Sequence, residues 1–179
     1  AQKYGVPTQI FRPGNITGHS QTGICVAENN HALSLIKSCI QLGVAPNWEH
    51  PVEMMPVDHL SEAIIRHSFA KGQTTINLNN INALPWKTYM HYLNKLGFNI
   101  QLISFVDWQK KLQTIQEENA LFPFKDFYLE LPSEEVMRSA ESESENLYSD
   151  NDMLQGVGLN YPQEYNALVE LYWTYLRKI

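Results

Sequence analysis

The segment of this chain best suited to chemistry runs from Phe11 to Gly23, FRPGNITGHSQTG. Apolar residues predict a short strand that ends at Arg12, and Pro13-Gly14 breaks it. Ligands of doubly wound sheets bind at the carboxyl edge of the strands, so this segment is predicted to be an edge loop that a ligand approaches closely. Arg12 is a candidate contact to a cofactor or phosphate, and a structural salt bridge is an equal alternative for it.

Other catalytic patterns are missing from the sequence. The nine glycines form neither G-x-G-x-x-G nor G-x-x-G-x-x-G, and no tyrosine is followed by lysine four positions later. The tripeptide Gly18-His19-Ser20 lacks the second glycine of a nucleophile elbow, and the histidines show no H-x-x-x-H or H-E-x-x-H spacing. Glu53 and Asp58 are interpreted as a strand-end charge and a helix cap rather than an acid–base pair. We therefore predict no catalytic residue and no metal site within the chain.

Composition narrows the class of protein. The chain has 179 residues, of which 44% are hydrophobic, and a formal net charge of -6. That acidic balance argues against a nucleic-acid partner, which needs clustered Lys and Arg. No apolar run approaches the ~18 residues that a membrane helix needs. The two cysteines lack metal-ligand spacing, and low cysteine use favours a reducing compartment, so a cytoplasmic location is expected.

Periodicity predicts alternating strands and helices. Short apolar runs predict strands at residues 6–12, 52–57, 74–79 and 98–105. Helical spacing predicts helices that begin at an Asn29 or Asn30 cap, after an Asp58 cap, at Pro85 and at Asp107. Gly43 and Gly97 are predicted to stop two of these helices. This order predicts an α/β fold with a largely parallel sheet.

The character of the sequence changes after residue 120. Residues 1–120 are assigned to the α/β part of the domain, which the resemblance described below makes the cofactor-binding and substrate-binding part, and residues 121–179 to a helical appendage. Within the appendage, the acidic, serine-rich stretch 134–152 is predicted to be a flexible, solvated connection. A final helix is predicted after Pro162, with Tyr165, Leu168, Val169, Tyr172 and Leu176 on its docking face.

Three sequence blocks together resemble a known family. FRPGNITGHSQTG, LIKSCIQLG (residues 35–43) and VEMMPVD (residues 52–58) resemble the terminal reductase domains of polyketide and nonribosomal peptide synthetases, and the reductase part of alpha-aminoadipate reductase. Such domains use NADPH to release a carrier-bound thioester as an aldehyde or alcohol. The resemblance implies the carboxy-terminal portion of a Rossmann-like, extended short-chain dehydrogenase fold with a small, mostly helical substrate-binding subdomain. It covers residues 6 to about 105 and returns faintly in the last helix.

The resemblance also assigns roles to residues. The run Pro13-Gly14-Asn15-Ile16 is implied to contact the nicotinamide carboxamide, largely through its backbone. Thr17-Gly18-His19 is implied to border the entry site of the thioester. Met55, with Met54, is implied to line the substrate face, although burial of both side chains against the sheet is the stronger alternative. The glycine-rich loop and the catalytic tyrosine and lysine of the family are expected upstream of Ala1.

The expected partners follow from the same resemblance. They are an acyl or peptidyl carrier protein with a phosphopantetheine arm, and the amino-terminal half of the domain. Because carrier proteins are acidic, residues 134–152 are not the expected docking face. An exposed sheet edge also allows self-association. Alternative interpretations are a non-catalytic binding module derived from a reductase, a fatty acyl-CoA reductase-like enzyme and a nucleotide-sugar epimerase.

These sequence features predict that the 179-residue chain alone does not catalyse reduction. With NADPH and a carrier-bound or CoA thioester, we expect no NADPH oxidation above background in an absorbance assay, because no residue of the chain is predicted to protonate the oxyanion. Measurable turnover by the purified chain would contradict the assignment of the catalytic groups to a preceding half.

Overall fold

Helices and short strands alternate along the chain in the computed structural model, which describes residues 4–6, 8–27, 30–69, 75–80, 83–132 and 165–177. The helices are α1 (His31–Leu42), α2 (Val57–Ser68), α3 (Trp86–Lys95), α4 (Phe105–Gln113), α5 (Lys125–Glu130) and α6 (Tyr165–Leu176), and a 3₁₀ turn spans Phe122–Phe124. The strands are β1 (Ile10–Pro13), β2 (Ile16–Thr17), β3 (Val44–Pro46), β4 (Pro51–Val52), β5 (Met55–Pro56), β6 (Thr75–Leu78), β7 (Leu84–Pro85) and β8 (Gln101–Ile103). The predicted α/β class is confirmed.

Both predicted ends of α1 are confirmed. The Asn30 side chain accepts a hydrogen bond from the backbone N–H of Leu33, as an N-cap does. Gly43 follows the helix with φ 67°, a left-handed conformation that costs glycine little because it has no Cβ. Both signals act within a few residues of the helix end, so the sequence alone reveals them.

Two predicted helix starts are wrong. Pro56, not Asp58, occupies the N-cap position of α2, because the Asp58 carboxylate binds Ser20 instead. Helix α4 begins at Phe105 rather than at Asp107. Its cap is Ser104, whose hydroxyl accepts from the N–H of Asp107.

The strands form short two-stranded ladders rather than one broad sheet among the described residues. Parallel pairs join β1 to β6, β2 to β5 and β3 to β8, and an antiparallel pair joins β4 to β7. The predicted strand 52–57 is divided into β4 and β5, because each piece pairs with a different partner. Of the predicted strand at residues 98–105, only Gln101–Ile103 forms a strand, β8. Asn99, two residues before it, has a left-handed backbone conformation with φ 54°.

Two hydrophobic clusters hold these elements together. The larger contains side chains from α1, α3, α4 and α6, and the smaller lies between α2 and the β1–β6 ladder. Helix α6 packs on α3, where the indole N–H of Trp173 donates to the hydroxyl of Tyr89 at 2.9 Å. Leu121 and Tyr128 share the larger cluster with residues before position 120. The proposed division at residue 120 remains a prediction.

The predicted flexible connection at residues 134–152 lies outside the residues that the structure describes. Among the helices that are described, none has the length and apolar content to span a membrane. Cys25 and Cys39 are buried and form no disulfide with each other.

Asn30 connects the start of α1 to β2, because its side-chain amide also donates to the carbonyl of Ile16. Asn30→Ala removes the cap and this bond and is expected to lower the free energy of unfolding by about 1–2 kcal/mol. Asn30→Ser keeps a capping oxygen and loses only the bond to Ile16, so its stability should be intermediate. Urea unfolding of the three proteins measures the order. Equal stabilities of the two variants would contradict the cap, and an Asn30→Ser variant as stable as the unmodified chain would contradict the bond to Ile16.

Candidate functional site

The predicted edge loop lies at the carboxyl ends of two parallel strands. Pro13 is opposite Leu78 in the β1–β6 register, and the N–H of Gly14 donates to the carbonyl of Leu78 at 3.1 Å. Asn15 and β2 follow directly, and the N–H of Met55 donates to the Asn15 carbonyl at 3.0 Å. The structure therefore places the run Pro13-Gly14-Asn15-Ile16 at the strand edge where nucleotide cofactors bind in α/β folds.

Glu53 holds this loop in place. One carboxylate oxygen accepts from the N–H of Asn80 at 2.6 Å, and the other from the N–H of Asn15 at 3.4 Å. The Asn15 side-chain amide donates back to the Glu53 carbonyl at 3.0 Å. Burial raises the pKa of Glu53, and the two backbone hydrogen bonds oppose that shift. The interpretation of Glu53 as a strand-end charge does not include these contacts, because the two partners lie 38 and 27 positions away in the sequence.

Gly14 is required for space. A Cβ at this position would lie 2.1 Å from a carboxylate oxygen of Glu53. The backbone of Gly14 is not left-handed, so the constraint is steric rather than conformational. The Glu53 carboxylate cannot retreat without losing its backbone hydrogen bonds.

Helix α6 holds the next part of the loop. The hydroxyl of Tyr172 donates to the Gly18 carbonyl at 2.9 Å and lies 3.1 Å from the Thr17 hydroxyl, which is left to donate to it. Burial raises the pKa of Tyr172 to about 12, so the phenol stays protonated. A Cβ on Gly18 would lie 2.7 Å from the Cβ of Cys25. Thr17 and Gly18 are thus fixed by a residue more than 150 positions away.

His19 and Ser20 meet Asp58 without forming a nucleophilic triad. Asp58 accepts directly from the backbone N–H of Ser20 at 2.9 Å and from its hydroxyl at 2.6 Å. His19 Nδ1 lies 3.8 Å from the carboxylate and accepts from the N–H of Gln21. Burial acts to raise the pKa of Asp58, but the hydrogen bonds from Ser20 outweigh it and the pKa lies below its usual value. Asp58 therefore stabilises the loop as a charged acceptor.

The predicted substrate residue Met55 lies in the smaller core. Its side chain is 1% exposed and packs with Leu60, Ala63, Ile76 and Leu78. This arrangement matches the alternative of burial against the sheet. The substrate role of Met55, like that of Thr17-Gly18-His19, stays a prediction.

A cavity of about 360 Å³ opens beside Asn15. Its walls combine polar groups at the loop with side chains from α1, the β3–β4 loop, β4, α3 and α5. They are Asn15, His31, Ala32, Leu35, Ile36, Trp48, His50, Pro51, Val52, Glu53, Trp86 and Tyr128. Its size lies within the range of small-molecule sites. No short motif marks this cavity in the sequence, since its walls come from residues far apart in the chain.

The sequence of this chain is similar to a family model and to several known proteins. Residues 1–64 match the family model described as Male sterility protein, an NAD-binding family. The L-2-aminoadipate reductase large subunit of Eremothecium gossypii is 32% identical over 152 residues, which cover 82% of this chain and 11% of the relative. A linear gramicidin synthase polypeptide of Brevibacillus parabrevis is 29% identical over 120 residues, covering 66% of this chain and 2% of the synthase.

Two solved structures share the fold. The terminal R domain of the myxalamid PKS-NRPS pathway superposes with a TM-score of 0.78 at 23% identity, covering 99% of this chain and 46% of that domain. A thiolation-reductase di-domain of an archaeal nonribosomal peptide synthetase gives a TM-score of 0.72 at 19% identity, covering 99% of this chain and 37% of the di-domain. The resemblance to thioester reductase domains is confirmed.

The fold of this reductase-like chain is that of extended short-chain dehydrogenase reductase domains. The chain spans about a tenth of the length of the curated relative from Eremothecium gossypii and just under half of the myxalamid domain.

The family and the reductase relatives imply a nicotinamide cofactor. The edge loop fits such a group, because it lies at the carboxyl strand edge and presents the polar Asn15 to the cavity. Among the described residues, no three metal-ligating side chains converge.

Because Gly14 and Glu53 are in contact, substitutions at the two positions should have non-additive effects on the free energy of unfolding. Gly14→Ala should lower the free energy of unfolding by about 1–3 kcal/mol through overpacking. In a Glu53→Ala background the added methyl finds space, so the same change should cost much less. Urea unfolding of the two single variants and the double variant measures the coupling.

Gly18→Ala provides the matched control. Its Cβ would meet Cys25 and Tyr172 instead of Glu53, so Glu53→Ala should not relieve its cost. Additive effects of Gly14→Ala and Glu53→Ala would contradict the steric account.

Proposed function

We propose that this chain forms the substrate-side half of an NADPH-dependent thioester reductase. The complete enzyme reduces a carrier-bound acyl or peptidyl thioester and releases it as an aldehyde or alcohol. The chain supplies one wall of the nicotinamide site, the cleft for the acyl group and part of the surface that receives the carrier.

The observation that carries this proposal is the contact between the edge loop and the cavity. Asn15 belongs to the loop predicted to contact the nicotinamide and also lines the cavity of about 360 Å³. Hydride transfer requires the cofactor and the thioester carbonyl to be held about 3–3.5 Å apart in a fixed orientation. A loop that borders both sites can position one reactant against the other.

Each part of the loop has a distinct role in this proposal. The backbone of Pro13-Gly14-Asn15-Ile16 orients the nicotinamide carboxamide, and Glu53 keeps that backbone in place through the N–H of Asn15. Thr17-Gly18-His19 borders the thioester entry, where Tyr172 fixes Gly18. Met55 supports β2 through its ladder pairing with Ile16. The bound cofactor supplies the hydride, and a tyrosine and lysine of the preceding half stabilise the oxyanion.

An exposed apolar surface supports a partner for this half. Gln9 donates to the carbonyl of His67 at 3.1 Å, so the start of β1 lies beside the end of α2. Ile10, Ile65 and Phe69 on these elements are 49%, 61% and 84% exposed. These exposed apolar side chains on neighbouring elements support an interaction site. We assign this surface to the amino-terminal half of the reductase domain, with self-association of the chain as the alternative occupant.

The carrier protein is the second proposed partner. One structural relative is a thiolation-reductase di-domain, and a phosphopantetheine arm would deliver the thioester past Thr17-Gly18-His19 to the cavity beside Asn15. A cytoplasmic location is part of the same proposal. A binding module that retained the reductase shape would keep the carrier contact but would not bind nicotinamide.

The proposal predicts the effect of Asn15→Ala in the natural polypeptide that contains this chain. The variant should raise the KM for NADPH by roughly tenfold, because it loosens the loop that contacts the nicotinamide. Steady-state NADPH oxidation with a CoA or carrier-bound thioester measures it. Asn47→Ala is the control, since Asn47 is an exposed asparagine that follows β3 and does not line the cavity. A wild-type polypeptide that binds carrier but neither binds nor oxidises NADPH would overturn the reductase proposal in favour of the binding module.

A further inference from the structure

Two elements far apart in the sequence form walls of the cavity beside Asn15. Asn15 lies in the edge loop, where Glu53 and the backbone N–H of Met55 bind it. Tyr128 lies on α5, and its ring packs on Trp48 at a centroid distance of 6.3 Å. Asn15 and Tyr128 both line the cavity, but different partners hold them. An elongated ligand can therefore contact the edge loop with one end and α5 with the other.

Apolar side chains form most of the remaining wall. They come from α1, β4 and α3, and they include the buried residues Leu35, Ile36, Val52 and Trp86. The rings of Trp48 and Trp86 lie 5.7 Å apart, and the indole N–H of Trp86 donates to the Pro46 carbonyl at 2.8 Å, which fixes that ring. Each methylene that such a wall removes fully from water tightens binding by about three- to fourfold. The wall therefore suits an apolar acyl chain.

The cavity holds only part of a long acyl chain. Its volume is about 360 Å³. A water molecule occupies about 30 Å³ in the liquid, so the cavity has room for roughly a dozen groups of that size. An octanoyl group fits within this space, whereas a dodecanoyl or peptidyl group has to continue outside it.

The exposed ring of Phe127 continues the apolar wall outside the cavity. Its centroid lies 5.7 Å from that of His31 and 5.2 Å from that of Tyr128, and both of these residues line the cavity. Phe127 itself is 55% exposed. Burial lowers the pKa of His31, so its ring is mostly uncharged at neutral pH. An apolar chain that leaves the cavity past His31 and Tyr128 therefore meets a further apolar ring.

His50 marks another exposed part of the lining, and its surroundings are different. The preceding residue, Glu49, forms an ion pair with Lys87 at the surface. An apolar chain laid over this pair would remove water from charged groups, which costs free energy. The Phe127 side is therefore the favourable exit for an apolar chain.

We propose that the acyl group of the thioester runs from Asn15 along the aromatic wall of the cavity and leaves it across Phe127. This inference rests on the proposed reductase function and names its substrate class, which is thioesters of acyl or peptidyl chains longer than the cavity with an apolar distal part. Phe127 binds that distal part and is a specificity-determining residue. Selection at this subsite is by the length of the chain.

Three thioesters of coenzyme A test the dependence on length: butanoyl-CoA, octanoyl-CoA and dodecanoyl-CoA. Isothermal titration calorimetry uses the natural polypeptide that contains this chain, without NADPH and with each thioester below its critical micelle concentration. Octanoyl-CoA should bind roughly tenfold more tightly than butanoyl-CoA, because its additional methylenes enter the cavity. Dodecanoyl-CoA should bind about fivefold more tightly again, since an exposed ring removes less of the chain from water than the cavity does.

The variant Phe127→Ala removes the external ring and keeps every side chain of the cavity lining. It should reduce the gain from octanoyl-CoA to dodecanoyl-CoA to about twofold or less, and leave the gain from butanoyl-CoA to octanoyl-CoA unchanged. Phe127→Leu keeps an apolar side chain and should retain most of the longer gain. Phe122→Ala is the matched control, because Phe122 is also exposed but lies against Lys125 and does not line the cavity.

The outcomes separate this inference from the reductase proposal. Equal affinities of the unmodified polypeptide for octanoyl-CoA and dodecanoyl-CoA overturn the external subsite, and this comparison needs no variant. An unchanged gain in Phe127→Ala, with its folding confirmed by thermal unfolding, overturns the exit across Phe127. Neither result changes the reductase proposal, which NADPH oxidation with octanoyl-CoA measures separately. The expected affinities without NADPH oxidation support the acyl subsite and overturn the reduction.

Discussion

The Glu53 carboxylate is the interaction on which the rest of the site depends. It accepts backbone N–H groups from Asn15 and Asn80, which follow β1 and β6 respectively. These two strands are parallel, so their carboxyl ends lie side by side and one side chain can join both. The carboxylate is also why residue 14 must be glycine, because it occupies the space that a Cβ would need. A charged group in this partly buried position is tolerated because hydrogen bonds reach both of its oxygens.

A second constraint comes from the end of the chain. Helix α6 packs on α3 and reaches back to the loop after β2, where Tyr172 contacts Thr17 and Gly18. The same helix places Trp173 against Tyr89 and Phe98. The Thr17-Gly18 part of the loop is therefore supported by α6, while Asn15 is supported by Glu53. The two supports act on neighbouring residues, so movement of either element would shift one part of the loop relative to the other.

Local signals account for the correct sequence predictions. The Asn30 cap, the Gly43 stop and the Pro13-Gly14 break each act within a few residues, and each is present in the structure. The resemblance to reductase domains was found for the same reason, since its three blocks are continuous in sequence. Asp58 shows the limit of local reasoning. Its position before a helical pattern is typical of a cap, but the Ser20 hydroxyl and N–H lie close in space and bind the carboxylate instead.

The sequence by itself determined the α/β class, most helices and the position of the edge loop, because helix caps, turn residues and apolar periodicity are properties of neighbouring residues. Only the tertiary structure decided how the segment 52–57 is divided between β4 and β5, since strand pairing depends on partners far along the chain. It also brought Trp48, Trp86 and Tyr128 to the same cavity as Asn15 and Glu53. The charge of that cavity depends on which side chains converge there, and convergence is set by packing rather than by any short pattern.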